Sequence, residues 1–242
     1  MNLLIDIGNS RTKFCVATHD DLSEIKAFPN EEALENLHYL LNENSFKKCI
    51  VSSTSSRTYT DSVINLASKK VQTIELTPEL QLPISIDYNS SKTLGKDRIA
   101  NVCGARYFYP EVTTLSIDIG TCITYDVLEN GKIFRGGSIT PGFKMRFKAM
   151  NDYSAQLPRI EELTETNFPG KSTIQSLESG VYHGILGEIN QFILLTKQHY
   201  NQIQVVLTGG DLIRFEKGLK YPIFANLKLT LRGLNEILKN NN

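Results

Sequence analysis

One phrase occurs twice in this chain. Residues 3–8 read Leu-Leu-Ile-Asp-Ile-Gly and residues 115–120 read Leu-Ser-Ile-Asp-Ile-Gly, nearly half of the 242-residue chain apart. Each is an apolar strand that ends in an acid and a glycine, then meets hydroxyl or amide residues: Asn9 and Ser10 in the first copy, Thr121 and Thr124 in the second. The repetition implies a duplicated α/β domain whose halves offer equivalent turns to one polyanion. It points to a nucleotide-triphosphate site between them.

The bulk numbers narrow the classes. Lysine plus arginine and aspartate plus glutamate are both 26, so the formal charge is zero. That argues against nucleic acid or a membrane surface as partner, since both call for a basic excess. The four cysteines (Cys15, Cys49, Cys103, Cys122) form no C-x-x-C pair and read as small buried residues of a reducing compartment. Asp6 interrupts the first apolar stretch, and no run approaches the ~20 apolar residues of a membrane span. A cytoplasmic location is expected.

The pattern reads as Leu3–Ile7 and Thr12–Thr18 forming a hairpin, with a third strand at Ile25–Phe28. A helix follows, capped by Asn30, with Ala33, Leu34, Leu37, Leu40 and Leu41 inward. Then come a strand at Cys49–Val51, a helix burying Val63, Ile64 and Ala67, and a strand at Val71–Leu76. Residues 77–96, rich in Pro, Ser and Asn, read as a loop crossing between halves. The next helix carries Ile99, Val102 and Cys103 on one face. Strands at 114–119, 123–128 and 132–139 reopen the pattern, with a sharp turn at Ser138–Gly142. A long helix from Ser172 to His199 has Gly180, Gly184 and Gly187 on one side. Such a face fits close approach of another helix, within the chain or across a dimer. A strand at Gln204–Leu207 and a last helix burying Leu229, Leu234, Ile237 and Leu238 complete the chain. The expected domains are 1–76, a crossing segment 77–113, and 114–242, with the final helix a candidate to pack back on the first.

In Asp6-Ile7-Gly8-Asn9-Ser10-Arg11-Thr12-Lys13, Gly8 permits a tight turn whose N–H groups can form an anion nest. Asn9, Ser10 and Thr12 add donors and Lys13 a charge, while Asp6 at a buried strand end calls for a cation or donors. Phosphate binding with water-mediated Mg²⁺ and a plain polar hairpin turn are both open on this segment alone. The second turn, Asp118-Ile119-Gly120-Thr121, favours the first reading, because two loops can clamp one polyphosphate. Gly209-Gly210 follows a strand and would let a flat ring such as adenine approach the backbone. The plain alternative there is a strand–helix turn capped by Asp211. In Gly95-Lys96-Asp97-Arg98, Asp97 is either a helix cap or a carboxylate that accepts a hydroxyl proton.

Taken in order, these motifs resemble type III pantothenate kinase, of the superfamily joining actin-like ATPases and sugar kinases. The resemblance rests on D-x-G-N-S at Asp6–Ser10, G-x-D-R at Gly95–Arg98, D-x-G-T at Asp118–Thr121 and G-G-x-I-x-P-G at Gly136–Gly142, with Leu157-Pro158 and Leu207–Gly210 also fitting. It implies an α/β fold of two similar domains of duplicated actin-like ATPase (ribonuclease H-like) type with an interdomain cleft, and ATP-dependent phosphorylation of pantothenate. It further implies that residues 6–13 bind ATP phosphates, with Mg²⁺ near Asp6, and that Thr121, Gly209 and Gly210 contact ATP. Asp97 would be the proton acceptor. Tyr88, Gly95, Lys96, Arg98 and Thr173 would hold pantothenate, and Asp118 a monovalent cation, K⁺ or NH₄⁺. The resemblance also implies a homodimer. Cys122 departs from the family's usual alanine. The rival readings are a regulatory protein on the same scaffold, or a kinase for another small hydroxylated acid.

Overall fold

The computed structural model describes residues 1–164 and 166–241. In chain order the elements are β1 (Asn2–Ile7), β2 (Arg11–Thr18), β3 (Asp21–Leu22), β4 (Lys26–Pro29), α1 (Asn30–Glu43), β5 (Lys48–Ser53), α2 (Arg57–Ser68), β6 (Gln72–Glu75), β7 (Ser85–Ile86), α3 (Lys96–Phe108), β8 (Thr113–Ile119), β9 (Cys122–Glu129), β10 (Ile133–Pro141), α4 (Phe143–Tyr153), α5 (Thr173–His199), β11 (Ile203–Thr208), α6 (Leu212–Phe215), β12 (Phe224–Ala225) and α7 (Leu229–Asn240). They form two compact units. The first comprises Met1–Glu111, Glu129–Arg135 and Lys228–Asn242; the second comprises Val112–Leu128 and Gly136–Leu227.

In the first unit the sheet order is β3-β2-β1-β5-β6, with β4 also pairing β2. Central β1 is antiparallel to β2 and parallel to β5. Alternation sends Leu3, Ile5 and Ile7 to one face, where they pack with Ala33 and Leu37 of α1 and Val63 and Ala67 of α2. Helix α7 packs on β1 and β5 and lies along α3. The α3–α7 approach depends on two glycines. A Cβ on Gly233 would lie 1.7 Å from the Ala100 carbonyl oxygen, and one on Gly104 would lie 2.2 Å from that of Leu229. Buried Thr230 donates to Asn101 Oδ1 across this contact at 2.7 Å.

In the second unit the strands run β12-β11-β8-β9-β10. Here β8 is antiparallel to β9 and parallel to β11, the same neighbourhood that β1 has in the first unit. Leu115, Ile117 and Ile119 face a core with Phe143 and Phe147 of α4 and Val181, Ile185 and Ile189 of α5. Half-buried Glu188 of α5 accepts from Tyr125 (2.8 Å), Thr140 (2.6 Å) and Arg146 (2.8 Å), tying α5 to the sheet and to α4.

Several expectations need correction. Asn30 does not cap α1: it is the first helical residue, the cap position is Pro29, and no side chain caps there. Residues 77–96 are not all loop, since β7 pairs with Ile133–Phe134 at the start of β10. Helix α3 has no single apolar face; Arg98 through Ala105 are all buried. Ser138–Pro141 continue β10, and the chain turns only at Gly142, into the unexpected helix α4. A methyl on Gly180 or Gly187 would meet nothing within 4 Å, and one on Gly184 only Arg146 at 3.9 Å. Among the described residues, therefore, only the Arg146 side chain of α4 comes near that face. Cys15, Cys49 and Cys103 are buried and Cys122 half-buried, all free thiols. No described helix is long and apolar enough to cross a membrane.

Candidate functional site

The β1–β2 turn is built from its ends inward. Gly8 N–H donates to the Arg11 carbonyl (2.9 Å), and Thr54 N–H to that of Ile7 (2.9 Å). Asn9, Ser10 and Arg11 are exposed at the tip, whereas Asp6 is 8 % exposed. Asp6 sits opposite Lys13 on β2 and Ser52 on β5, and Lys13 Nζ stands 3.6 Å from its carboxylate. Two of the expected phosphate-binding residues, Ile7 and Thr12, are buried beside the turn. Ile7 is fully buried and offers the turn only its backbone. Thr12 is also fully buried; its hydroxyl donates to Asn30 Oδ1 (2.8 Å) and lies 3.0 Å from Tyr59 Oη. It supports the turn from behind.

The start of α3 is the second construction. Gly95 precedes the helix, and half-buried Asp97 accepts from the Arg98 N–H through Oδ1 at 2.9 Å. A Cβ on Gly95 would lie 2.6 Å from that same oxygen, so the glycine leaves room for the carboxylate's seat. Arg98 is 4 % exposed, its guanidinium 5.7 Å from the Tyr88 ring centre and 5.6 Å from that of Phe134. Such placement over ring faces is favourable for a cation taken out of water. Tyr88 remains half-buried.

Lys96, expected to hold substrate, is paired in this structure. Its Nζ is bound to Glu75 at 2.5 Å, and Glu75 also takes Arg57 at 2.8 Å. Burial raises the Glu75 pKa, but the hydrogen bonds from Lys96 and Arg57 outweigh it and hold the carboxyl below its usual value. The lysine charge is thereby committed one residue before Asp97.

In the second unit three turns meet at the ends of β8, β10 and β11. Gly120 N–H donates to Cys122 O, and Gly142 N–H to Thr121 O, both at 3.0 Å. Gly142 is needed there: a Cβ would lie 2.2 Å from the Gly120 carbonyl oxygen. Gly209 has φ +104°, and a Cβ on it would lie 2.2 Å from Ile119 O; the Asp211 N–H donates to that oxygen at 3.0 Å. Gly210 is open, with nothing within 4 Å of an added Cβ, and Thr121 is exposed. Asp211 does not cap α6 with its side chain; burial and the nearby Glu162 and Asp118 charges raise its pKa against the pull of Arg214 and Lys144. Asp118 is the counterpart of Asp6, but its cross-strand neighbours are the hydroxyl residues Thr124 and Thr208 rather than a lysine. Exposed Thr173 opens α5 beside the capping Ser172.

Sequence reasoning missed Asn30, Tyr59, Glu75 and Phe134, which carry or orient these groups. Among the described residues no cluster of three or more His, Cys, Asp or Glu side chains could hold a metal ion by itself. One carboxylate beside a phosphate turn is nonetheless the usual setting for Mg²⁺, which takes one or two carboxylates, waters and the phosphates themselves.

Paired hairpin-opened α/β units, each with an acid–glycine turn at the end of its central strand, make a duplicated fold of the actin-like ATPase and sugar-kinase kind. Solved structures agree at the level of fold. An inorganic polyphosphate/ATP-glucomannokinase from Arthrobacter aligns with a TM-score of 0.51 at 14% identity, covering 99% of this chain and 98% of its own. A Campylobacter jejuni protein described as a Baf family transcriptional activator aligns at 0.65 and 24% identity, covering 99% and 98%. The model of the type III pantothenate kinase family matches residues 2–194. The type III pantothenate kinase of Cytophaga hutchinsonii is 39% identical over 242 residues, all of both chains, and that of Phocaeicola vulgatus 37% over 100% of this chain and 99% of its own. The chain belongs to the type III pantothenate kinase family.

Proposed function

We propose that the protein transfers the γ-phosphoryl group of ATP to the primary hydroxyl of pantothenate, giving 4'-phosphopantothenate in the first step of coenzyme A biosynthesis. Beyond family membership, the observation that carries this reading is the repeated placement of Asp6 and Asp118. Each ends a central strand at a hairpin glycine, with one antiparallel and one parallel neighbour. The β1–β2 turn supplies Gly8, Asn9, Ser10 and Arg11, with Lys13 behind them, to the phosphates. Thr121, Gly209 and Gly210 serve the same nucleotide.

Asp97 takes the proton of the pantothenate hydroxyl as its oxygen bonds to the γ-phosphorus and the bond to the ADP oxygen breaks. Phosphoryl transfer of this kind has a loose transition state, so positioning and charge stabilisation do most of the work. Tyr88, Gly95 and Thr173 would contact pantothenate, and buried Arg98 packs on Tyr88 at the helix start. Bound with ATP, Mg²⁺ near Asp6 would neutralise charge on the phosphates. Asp118, flanked by neutral hydroxyls where Asp6 has a lysine, suits a monovalent cation, K⁺ or NH₄⁺. The open glycine face of α5 suits a second copy of the chain, and a cytoplasmic enzyme is the setting that fits free thiols.

The test is a coupled ADP-release assay with Mg²⁺ and K⁺ across a panel of hydroxylated acids. Turnover that requires pantothenate supports the reading. ADP release indifferent to pantothenate, or faster with another acid, overturns it.

A further inference from the structure

Asn30 opens α1, yet its side chain points back to the β1–β2 turn. Its Nδ2 donates to the carbonyl oxygens of Gly8 and Asn9, both at 3.1 Å, and its own backbone N–H donates to that of Ser10 at 3.2 Å. One residue therefore collects the three consecutive carbonyls of the turn. A peptide group whose C=O points to one side has its N–H directed to the other. Drawing all three carbonyls back towards α1 turns the following amides away from it, towards the exposed tip formed by Asn9, Ser10 and Arg11. Successive amides aimed outward are what an anion nest consists of.

The amide of Asn30 is itself oriented. The Thr12 hydroxyl donates to Asn30 Oδ1 at 2.8 Å. A threonine hydroxyl has one proton, so the 3.0 Å contact with Tyr59 must have the tyrosine as donor. The resulting relay runs from Tyr59 to Thr12 to Asn30 Oδ1 and leaves Nδ2 for the carbonyls. Tyr59 is fixed in the first turn of α2, where Ser56 accepts its N–H. Turn, α1 and α2 are thus locked together behind the tip.

We propose that Asn30 is a positioning residue for nucleotide phosphates: it sets the direction of the turn amides without touching the ligand. This rests on the assignment of the β1–β2 turn to phosphate. It separates phosphate affinity from affinity for the nucleoside, because adenosine has no group for the turn to hold.

The experiment is calorimetric titration of wild-type protein, Asn30→Asp and Tyr59→Phe with adenosine, Mg·ADP and Mg·ATP. Aspartate is favourable at a helix N-terminus, so Asn30→Asp should fold. It removes both side-chain donors and sets a negative charge against the carbonyls. Mg·ATP and Mg·ADP affinity should fall about tenfold or more, as loss of two hydrogen bonds implies, with adenosine affinity unchanged. Tyr59→Phe should lose about threefold in the same ligands, and it decides the matter if Asn30→Asp does not fold. Variants that keep wild-type ATP affinity, or that lose adenosine in parallel, overturn the role given to Asn30. A wild-type protein that binds adenosine as tightly as Mg·ATP removes the phosphate assignment itself, and this inference with it.

Discussion

Gly95→Ala probes the seat of Asp97 without touching either substrate's charge. Gly95 has φ −56° and ψ 130°, a conformation alanine adopts without strain. The new methyl would stand 2.6 Å from Asp97 Oδ1, and ordinary contact begins near 3.4 Å, so the oxygen must retreat by about 0.8 Å. A carboxylate on a flexible side chain can make that move cheaply, but it weakens the 2.9 Å bond from the Arg98 N–H. Alanine for glycine at this cap position costs within about 1 kcal/mol, so the fold should persist. Misplacing a reacting group by ~1 Å costs up to about 10²-fold in rate. A steady-state kinase assay at saturating Mg·ATP and pantothenate should show kcat reduced about 10- to 100-fold, with the KM for ATP nearly unchanged. A kcat within twofold of wild type would mean that the seat of the carboxylate does not govern the chemistry.

Gly209→Ala forces a side chain onto φ +104° and into Ile119 O; calorimetry should report a loss of about 2–5 kcal/mol, and a melting temperature unchanged from wild type would contradict the close approach. Glu75→Gln tests the Lys96–Glu75–Arg57 link. The folded pKa of Glu75 lies below 4.5, so its contribution is present above that pH and is lost as pH falls through the folded value. The stability gap between wild type and Glu75→Gln, small because Arg57 is largely exposed, should be present above the ordinary carboxylate pKa and shrink as pH falls below it on urea titration; a gap that widens in acid would reverse the sign. Replacing K⁺ by Na⁺ should lower kcat in wild-type protein and have little further effect in Asp118→Asn. Equal rates in the two salts would remove Asp118 as the cation site.

The turns were legible because they depend on residues adjacent in sequence. Acid, glycine and hydroxyl in a row imply a strand end and a tight bend, and apolar alternation located β1, β2, β8, β9 and most of α1 and α2. What escaped depends on partners distant along the chain. Asn30 looked like a helix cap by local chemistry, but its partners at Gly8 and Thr12 lie 22 and 18 residues away. Nothing adjacent in sequence announced that Lys96 pairs with Glu75, 21 residues back. Helix α3 read as one-sided, whereas Gly104 and Gly233 bring α7 close enough to bury polar Asn101 beside Thr230. Helix α4 had a visible signal in Phe143 and Phe147, a helical i,i+4 pair, but the Thr-Pro-Gly before it argued for a loop.

The central claim is that the protein holds Mg·ATP through carboxylate–glycine turns while Asp97 alone accepts the acceptor's proton. Paired measurement of Mg·ATP affinity and of 4'-phosphopantothenate formation in Asp97→Asn tests it most directly. Affinity within about threefold of wild type and a turnover lower by roughly 10²–10⁴, the usual share of a general base, is the expected result. Near-normal turnover, or nucleotide affinity lost together with turnover, would contradict it.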